Sequence, residues 1–280
     1  MKLVECPRDA MQGLAHFVPT ALKIEYLNTL LQVGFDTLDF GSFVSPKAIP
    51  QMRDTADVLA GLNVAATKTR LLAIVANVRG AEQAVTYEPI RYVGFPLSVS
   101  ETFQQRNTNK AIAQAFTDVA AIQELCQRKR KELVVYLSMG FGNPYGDTYS
   151  PELVRDFTAQ LVQMGVGIIS PSDTIGTSTP EAIETLFRHL ISEFPTIEFG
   201  AHLHARPGEA PDKVRAALRA GVQRIDGALR GFGGCPMAAD ELTGNLPTEE
   251  IIQTLTASGI SLVINKEALQ KAMTLSAGVF

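Results

Sequence analysis

The stretch GVGIISPSDTIGTSTPEAIETLFRHLISEFPTIEFGAHLHA, residues 165–205, reads as strand, helix, strand. Its outer runs, GVGIISPSD and IEFGAHLHA, are short and largely apolar, as strands buried on both faces are. The central run TPEAIETLFRHLISEF carries the marks of a helix start. Thr179 is placed to cap it, Pro180 takes the first helical position and Glu181 falls in the first turn. One unit of this kind suggests a βα repeat, and the rest of the chain supplies more of them.

Strand-like runs also occur at residues 2–6 (KLVEC), 37–41 (TLDFG), 70–77 (RLLAIVAN), 91–99 (RYVGFPLSV), 132–140 (ELVVYLSMG) and 222–231 (VQRIDGALRG). Helical runs alternate with them. TALKIEYLNTLLQVG spaces Leu22, Tyr26, Leu27, Leu30 and Leu31 at a helical period and stops at Gly34. SPELVRDFTAQLVQMG opens on Ser150, Pro151 and Glu152, the same start signature as at Thr179. APDKVRAALRAG and PTEEIIQTLTASG are two further helical runs. Eight strands, each followed by a helix, predict a (β/α)8 TIM barrel. A doubly wound open sheet is the structural alternative. Its first turn would be Gly-rich, whereas CPRDAMQG is not G-x-G-x-x-G. No linker divides the chain, so one barrel domain over residues 1–280 with a short C-terminal helical tail is expected.

The totals narrow the class. The chain has 280 residues, 46% hydrophobic and 19% charged, enough for a large core. A net charge of −4 and an aromatic content of 7% without Trp offer neither a basic field nor a stacking platform for nucleic acid. The opening MKLVECPRDAMQG enters a strand-like run at once and shows no leader pattern. No apolar run approaches the roughly 18 residues of a membrane span. The three cysteines, Cys6, Cys126 and Cys235, lie far apart without a C-x-x-C pair, which suits a reduced cytoplasmic protein.

In such a barrel the chemistry sits at the C-terminal ends of the strands. Polar residues collect there: strand one ends in Arg8, Asp9 and Gln12, strand two in Asp39 and strand six in Asp173, and strand four leads into Ser100 and Glu101. Strand seven carries His202 and His204. Residues i and i+2 of a strand share a face, so both imidazoles point the same way. Facing the barrel mouth, they could join Asp9 as an N, N, O ligand set for Mg, Mn, Zn or Fe(II). Two hydrogen-bonded barrel histidines are the plain alternative. Arg8 could offset a developing oxyanion or simply pair with Asp9. Asp39 and Asp173 also suit capping or supporting roles. Cys235 lies in RGFGGCPMAADELTGN, where Gly231, Gly233 and Gly234 suggest a mobile lid whose thiol could act as a general acid on closure. Most free cysteines are inert small hydrophobes, and Cys6 and Cys126 read that way.

VECPRDAMQ, SFVSPKAIPQM, SPSDTIGTSTP, HLHARPG and GFGGCPMAADELTGNLPTE together resemble the 3-hydroxy-3-methylglutaryl-CoA lyases, metal-dependent TIM-barrel enzymes. The likeness runs in order from about Lys2 to Leu255. It implies that Asp9, His202, His204 and Asn245 hold one Mg²⁺ or Mn²⁺. It implies that Arg8 neutralises a thioester enolate, that Cys235 protonates the departing acetyl-CoA carbanion, and that Asp39 and Asp173 assist proton transfer. Gln12, Lys47, Ser100 and Glu101 are candidates for binding substrate, with Lys68 and Arg106 as further cations for the CoA phosphates. The acyl-CoA partner follows from the same likeness, with which leucine degradation or ketone-body formation fits, and apolar helix faces suggest a homodimer.

The chain departs from the family pattern at four places. Ala10 stands for Gly, which suggests a backbone needing no positive φ there. Ala205 and Arg206 stand for an acid and a small hydroxyl residue, and Asn143 for Cys. These departures bear on the exact acyl-CoA rather than the reaction type. A lyase for a related 3-hydroxyacyl-CoA, a Claisen-type acyltransferase and a non-catalytic acyl-CoA-binding barrel are the other readings.

Overall fold

The computed structural model describes residues 1–234 and 243–280. Eight parallel strands form the barrel: β1 (Lys2–Glu5), β2 (Thr37–Ser42), β3 (Arg70–Ile74), β4 (Ile90–Ser98), β5 (Glu132–Ser138), β6 (Ile168–Asp173), β7 (Glu198–Ala205) and β8 (Arg224–Gly227). Each pairs with its sequence neighbours, and β8 pairs with β1, so the sheet closes. The TIM barrel expected from the alternating runs is the fold observed. A ninth strand, β9 (Gly244–Asn245), pairs antiparallel with the end of β7.

The helices are α1 (Pro7–Gln12), α2 (Thr20–Leu31), α3 (Thr55–Ala60), α4 (Val78–Ala84), α5 (Glu101–Thr108), α6 (Ile112–Arg128), α7 (Pro151–Gln163), α8 (Pro180–Glu193), α9 (Ala210–Ala220), α10 (Thr248–Ala257) and α11 (Lys266–Val279). The start signals work as read. Ser150 Oγ accepts from Leu153 N at the head of α7, and Thr179 Oγ1 accepts from Ala182 N at the head of α8. Each satisfies an amide that a helix start leaves without a partner. After the eight βα units, α11 packs against α2. No helix among the described residues is long and apolar enough to cross a membrane.

Strand alternation sorts the side chains into two layers. Outward residues such as Leu38, Phe40, Val93 and Phe199 join the inner faces of the helices in one large core. Burying each such side chain contributes about 1.5–3 kcal/mol. Inward residues form a small apolar cluster on β3 to β6: Leu72, Ile74, Tyr92, Val134, Tyr136 and Ile168. The inward positions of β7, β8 and β2 are instead polar: His202, His204, Arg224, Asp226 and Asp39 are all buried or nearly so. Half of the barrel lumen is therefore packed like a core, and the other half carries charge.

Several strands are shorter than the sequence reading, and two differences bear on the site. Strand eight was expected over residues 222–231 but ends at Gly227. The chain then enters a 3₁₀ turn in which Arg230 has φ 63°, a left-handed conformation that no strand can contain. Arg8, Asp9 and Gln12 read as the end of strand one. They lie in α1, a one-and-a-half-turn helix that Pro7 opens.

Candidate active site

Helix α1 stands at the C-terminal mouth of the barrel and turns three side chains inward. Arg8 and Gln12 are four residues apart on one helix face, and Arg8 Nη1 donates to Gln12 Oε1 at 2.7 Å. The same nitrogen donates to Asp9 Oδ1 at 3.1 Å. Arg8 Nε and Nη2 both donate to Asp39 on β2, the latter at 2.6 Å to Oδ2. This fork locks the guanidinium plane against the barrel wall. Burial opposes charge on Arg8, but Asp39 and Asp9 outweigh it, so its pKa is raised and the cation persists. Burial is also the largest influence on Asp39 and lifts its pKa to about 6, with Arg8 pulling the other way. Asp39 therefore remains an anion at neutral pH, with a basicity close to neutrality.

His202 and His204 both face the mouth, as the two-residue strand period requires. They and Asp9 offer ligand atoms that all lie within 4.8 Å of one another. Their tautomers are set by partners on the two flanking strands. His202 Nδ1 meets Asp226 Oδ2 on β8 at 3.1 Å, and His204 Nδ1 meets the carbonyl of Thr174, just after β6, at 3.0 Å. A carbonyl can only accept, and the carboxylate here does the same, so each Nδ1 carries the proton and each Nε2 keeps its lone pair. His204 Nε2 is buried without a hydrogen-bond partner among the described residues. Burial, then the neighbouring His202, lowers the His204 pKa to about 4, so it stays neutral. Burial also lowers His202, but the hydrogen bond and charge of Asp226, then Asp9, carry it above the ordinary value. Asp9 would be raised by burial, yet Arg8 and the two histidines hold it below the usual carboxylate range.

Asn245 reaches this cluster from β9, opposite His204 in register. Its Nδ2 donates to Asp9 Oδ2 at 2.7 Å and to the Phe232 carbonyl at 2.9 Å. Two acceptors on one side identify that atom as the nitrogen and leave Oδ1 as the atom to offer a ligand. Gly233 makes the approach possible. A Cβ there would stand 2.7 Å from Asn245 Nδ2 and 2.8 Å from Ala10 Cα, and its φ is +90°. Gly231 and Gly234 are also left-handed and crowded by backbone. These three glycines serve close packing, and the lid expected over Cys235 lies outside the described residues. Ala10 is helical, in keeping with the absence of Gly there.

The donor set fits a hard divalent cation. It combines one ionised carboxylate, two neutral imidazoles with free Nε2 lone pairs and an amide oxygen, with open positions beyond them. A second group, Cys6, His202 and Asp226, is equally compact. Burial, then Asp226 and Asp39, raises the Cys6 thiol far above its ordinary value, so it remains protonated and serves a cation poorly.

The cavity above this floor is lined by Arg8, Asp9, Gln12, Asp39, His202 and His204 on the β1, β2 and β7 side. Val44, Ile49, Ile74, Pro96 and Phe103 supply an apolar wall. One polar half and one apolar half suit an acyl group with a few oxygens and a hydrocarbon body.

Other expected site residues lie elsewhere. Asp173 takes no part in lining the cavity. Its carboxylate accepts from Thr177 N, from Ser178 N and Oγ, and from Lys213 Nζ at 3.0 Å, and so holds the turn after β6. Ser100 is the N-cap of α5 and donates to Asp147 at 2.5 Å. Glu101 accepts from Ile112 N, joining α5 to α6. Both are capping residues, and α5 presents Phe103, Asn107 and Thr108 to the cavity instead. Lys47 is exposed on the loop after β2 and does not line the cavity. Lys68 precedes β3 and so lies at the opposite, N-terminal end of the barrel. Arg106 stacks on Tyr145, 4.6 Å from the ring centre. Asn143 accepts from Tyr145 N and Asp147 N, an Asx turn within the loop after β5. Cys235 lies outside the described residues. Asp226 and Lys213 were not singled out from sequence. The spacing of Asp226 from Arg224 on an otherwise apolar strand was the available signal.

A barrel in which Asp9, His202 and His204 converge beside a buried Arg and a half-apolar cavity at the C-terminal mouth has the arrangement of the metal-assisted TIM-barrel enzymes. Comparison with known proteins narrows this. The HMGL-like family profile matches residues 3–276, and the chain belongs to that family. It is 33% identical over 273 residues to the mitochondrial hydroxymethylglutaryl-CoA lyase of Mus musculus, spanning 97% of this chain and 83% of the relative. It is 31% identical to the cytoplasmic 3-hydroxy-3-methylglutaryl-CoA lyase of Rattus norvegicus, spanning 97% and 79%. An HMG-CoA lyase from Acinetobacter baumannii, solved with coenzyme A and 3-methylmalate, superposes with a TM-score of 0.91. It is 30% identical, covering 99% of this chain and 90% of that one.

Proposed function

We propose that this chain is a divalent-metal-dependent carbon–carbon lyase that cleaves 3-hydroxy-3-methylglutaryl-CoA to acetyl-CoA and acetoacetate. The observation that carries the proposal is the convergence of Asp9, His202 and His204 within 4.8 Å at the barrel mouth, with Arg8 bonded to Asp9. Family membership and the lyase relatives support the same reading.

Breaking the bond between C2 and C3 of a tertiary 3-hydroxy thioester makes three demands. The hydroxyl proton must leave, negative charge on the thioester enolate must be stabilised, and the resulting C2 carbanion must be protonated. Asp9, His202, His204 and Asn245 would hold Mg²⁺ or Mn²⁺, which supplies Lewis acidity toward a hydroxyl and a carboxylate oxygen. Asp39 is the carboxylate on the cavity wall whose basicity lies nearest neutral pH, and it is assigned the hydroxyl proton. Arg8, held rigid by Asp39, faces the enolate oxygen with a charge that needs no reorganisation. Cys235 is assigned the proton delivered to C2, by its place in the GGCP motif. The C3 hydroxyl becomes the ketone of acetoacetate, and C2 becomes the methyl of acetyl-CoA.

The apolar wall of Val44, Ile49 and Phe103 suits the methyl-bearing acyl chain. A cytoplasmic homodimer acting in leucine degradation completes the proposal. Cell fractionation and solution mass measurement address its first two terms. The decisive assay supplies purified protein with 3-hydroxy-3-methylglutaryl-CoA, with and without EDTA, and no 2-oxo acid. Stoichiometric acetyl-CoA and acetoacetate, lost with EDTA and restored by Mg²⁺ or Mn²⁺, are expected. CoA release only when a 2-oxo acid is present would assign a Claisen-type acyltransferase instead.

A further inference from the structure

Phe232 supplies the carbonyl that, together with Asp9, orients the Asn245 amide. It sits between Gly231 and Gly233, whose φ values are +68° and +90°. Glycine adopts either sign of φ at little steric cost, so a glycine on each side leaves the Phe232 peptide weakly constrained by its own backbone. The direction of its carbonyl therefore depends on what the Phe232 side chain meets.

That side chain stacks on Phe280, directly after α11, with ring centres 4.6 Å apart and planes at 21°. This is a favourable aromatic spacing. Phe280 is held in turn. Its backbone N–H donates to the Ser276 carbonyl at 3.0 Å, and its ring meets the buried Tyr26 of α2 edge-on at 6.1 Å. A second tie runs beside the stack, where Arg230 Nη2 donates to the Met273 carbonyl of α11 at 2.9 Å. Arg230 keeps a φ of 63°, a conformation that costs a non-glycine residue energy and persists only where its surroundings enforce it. Neither α11 nor Phe280 lines the cavity. They nevertheless grip the loop after β8 on both sides of Gly231.

We infer that Phe280 is a positioning residue for the metal-binding site: its stack on Phe232 fixes the Phe232 carbonyl, which holds the Asn245 amide with Oδ1 free to serve as a ligand. The link to metal rests on the proposed role of Asn245, whereas the link from the ring stack to the Asn245 amide stands without it.

Two measurements test this. The first uses ¹H–¹⁵N spectra of the metal-free protein, with the Asn245 side-chain amide assigned by its loss in Asn245→Asp. Its protons should exchange with solvent about 5-fold faster in Phe280→Ala, and at the parent rate in Phe280→Tyr, which keeps the ring. The second is Mn²⁺ titration. Phe280→Ala should bind about 5-fold more weakly, the scale of one aromatic pair, and Phe280→Tyr within about twofold of the parent. A Phe280→Ala protein that melts like the parent and matches it in amide exchange overturns the inference, as does one that binds Mn²⁺ within about twofold of it. Equal losses in Phe280→Ala and Phe280→Tyr overturn the role of the stack and assign the effect to the packing of α11. If Phe280→Ala does not fold, Phe280→Leu, which keeps apolar bulk without a ring, takes its place under the same criteria. If the parent binds no Mn²⁺, the metal-site reading fails on its own, and the exchange of the Asn245 amide decides the positioning.

Discussion

His202 and His204 set their ring centres 5.3 Å apart, and each is pinned through Nδ1 to a strand on a different side of β7. Asp226 on β8 holds one, and the Thr174 carbonyl at the end of β6 holds the other. Both Nε2 atoms thereby keep their lone pairs turned to the mouth, as the proposed ligand role requires. Asp226→Asn keeps the shape and an acceptor but removes the charge that polarises His202. Mn²⁺ affinity should fall about 10-fold, at the low end of what outer partners of a metal site contribute. Isothermal titration reads this directly, and an unchanged affinity would assign Asp226 to packing alone.

Acid should weaken metal binding, and one histidine should account for it. His202 titrates above its ordinary 6.5, because Asp226 and Asp9 outweigh burial. His204, lowered to about 4, stays neutral throughout the neutral range. Between pH 8 and pH 6 the proton therefore competes with the metal at His202 only. The expected slope is about one proton per ion, a tenfold loss per unit below the His202 pKa. A slope of two would show both rings titrating together.

Arg8→Lys replaces a fork by a point charge. The guanidinium reaches Asp39 with two nitrogens and Asp9 and Gln12 with the third, which an ammonium cannot reproduce. With its charge acting on the enolate, kcat should fall about 10²–10³-fold while KM changes little. A rise in KM at unchanged kcat would place Arg8 in ground-state binding.

Stability should decline from mildly acidic to mildly basic pH because of Glu5. This side chain is buried outside the barrel wall, where it accepts from Leu229 N and meets the Thr248 hydroxyl at 2.5 Å. Burial raises its pKa from the usual 4.5 to about 8. Between those values the folded protein binds a proton that the unfolded chain does not. The contribution is full below about 4.5 and is lost as pH rises through about 8. The loss is on the order of a few kcal/mol. Urea melts from pH 5 to pH 8 should slope downward, and Glu5→Gln should flatten the slope.

Lys213→Met should be among the most destabilising single changes. Lys213 Nζ is buried and donates to Asp173, to the Gly176 carbonyl and to the His204 carbonyl. Removing it leaves the Asp173 carboxylate buried without its counter-charge, at about 3–5 kcal/mol. Thermal melts measure this, and a shift of a degree or two would show that Ser178 and the turn amides suffice.

Local information set the barrel, its helix starts and the common face of the two histidines. Caps at Ser150 and Thr179 depend on residues three apart, and the facing of His202 and His204 on a period of two. Such relations are written along the chain. Partners across the barrel are not. Arg8 meets Asp39 over 31 positions, and Asn245 meets Asp9 over 236. A polar residue at a strand end is compatible with the cavity, a cap or a turn, and only the closed sheet selects among them. Tertiary packing put Arg8, Asp9, Asp39 and Asn245 in one place. It turned Asp173, Ser100 and Glu101 to capping and sent Lys68 to the far end. The reason is physical: strand and helix periods set which way a side chain points, while the register of distant strands sets what it meets.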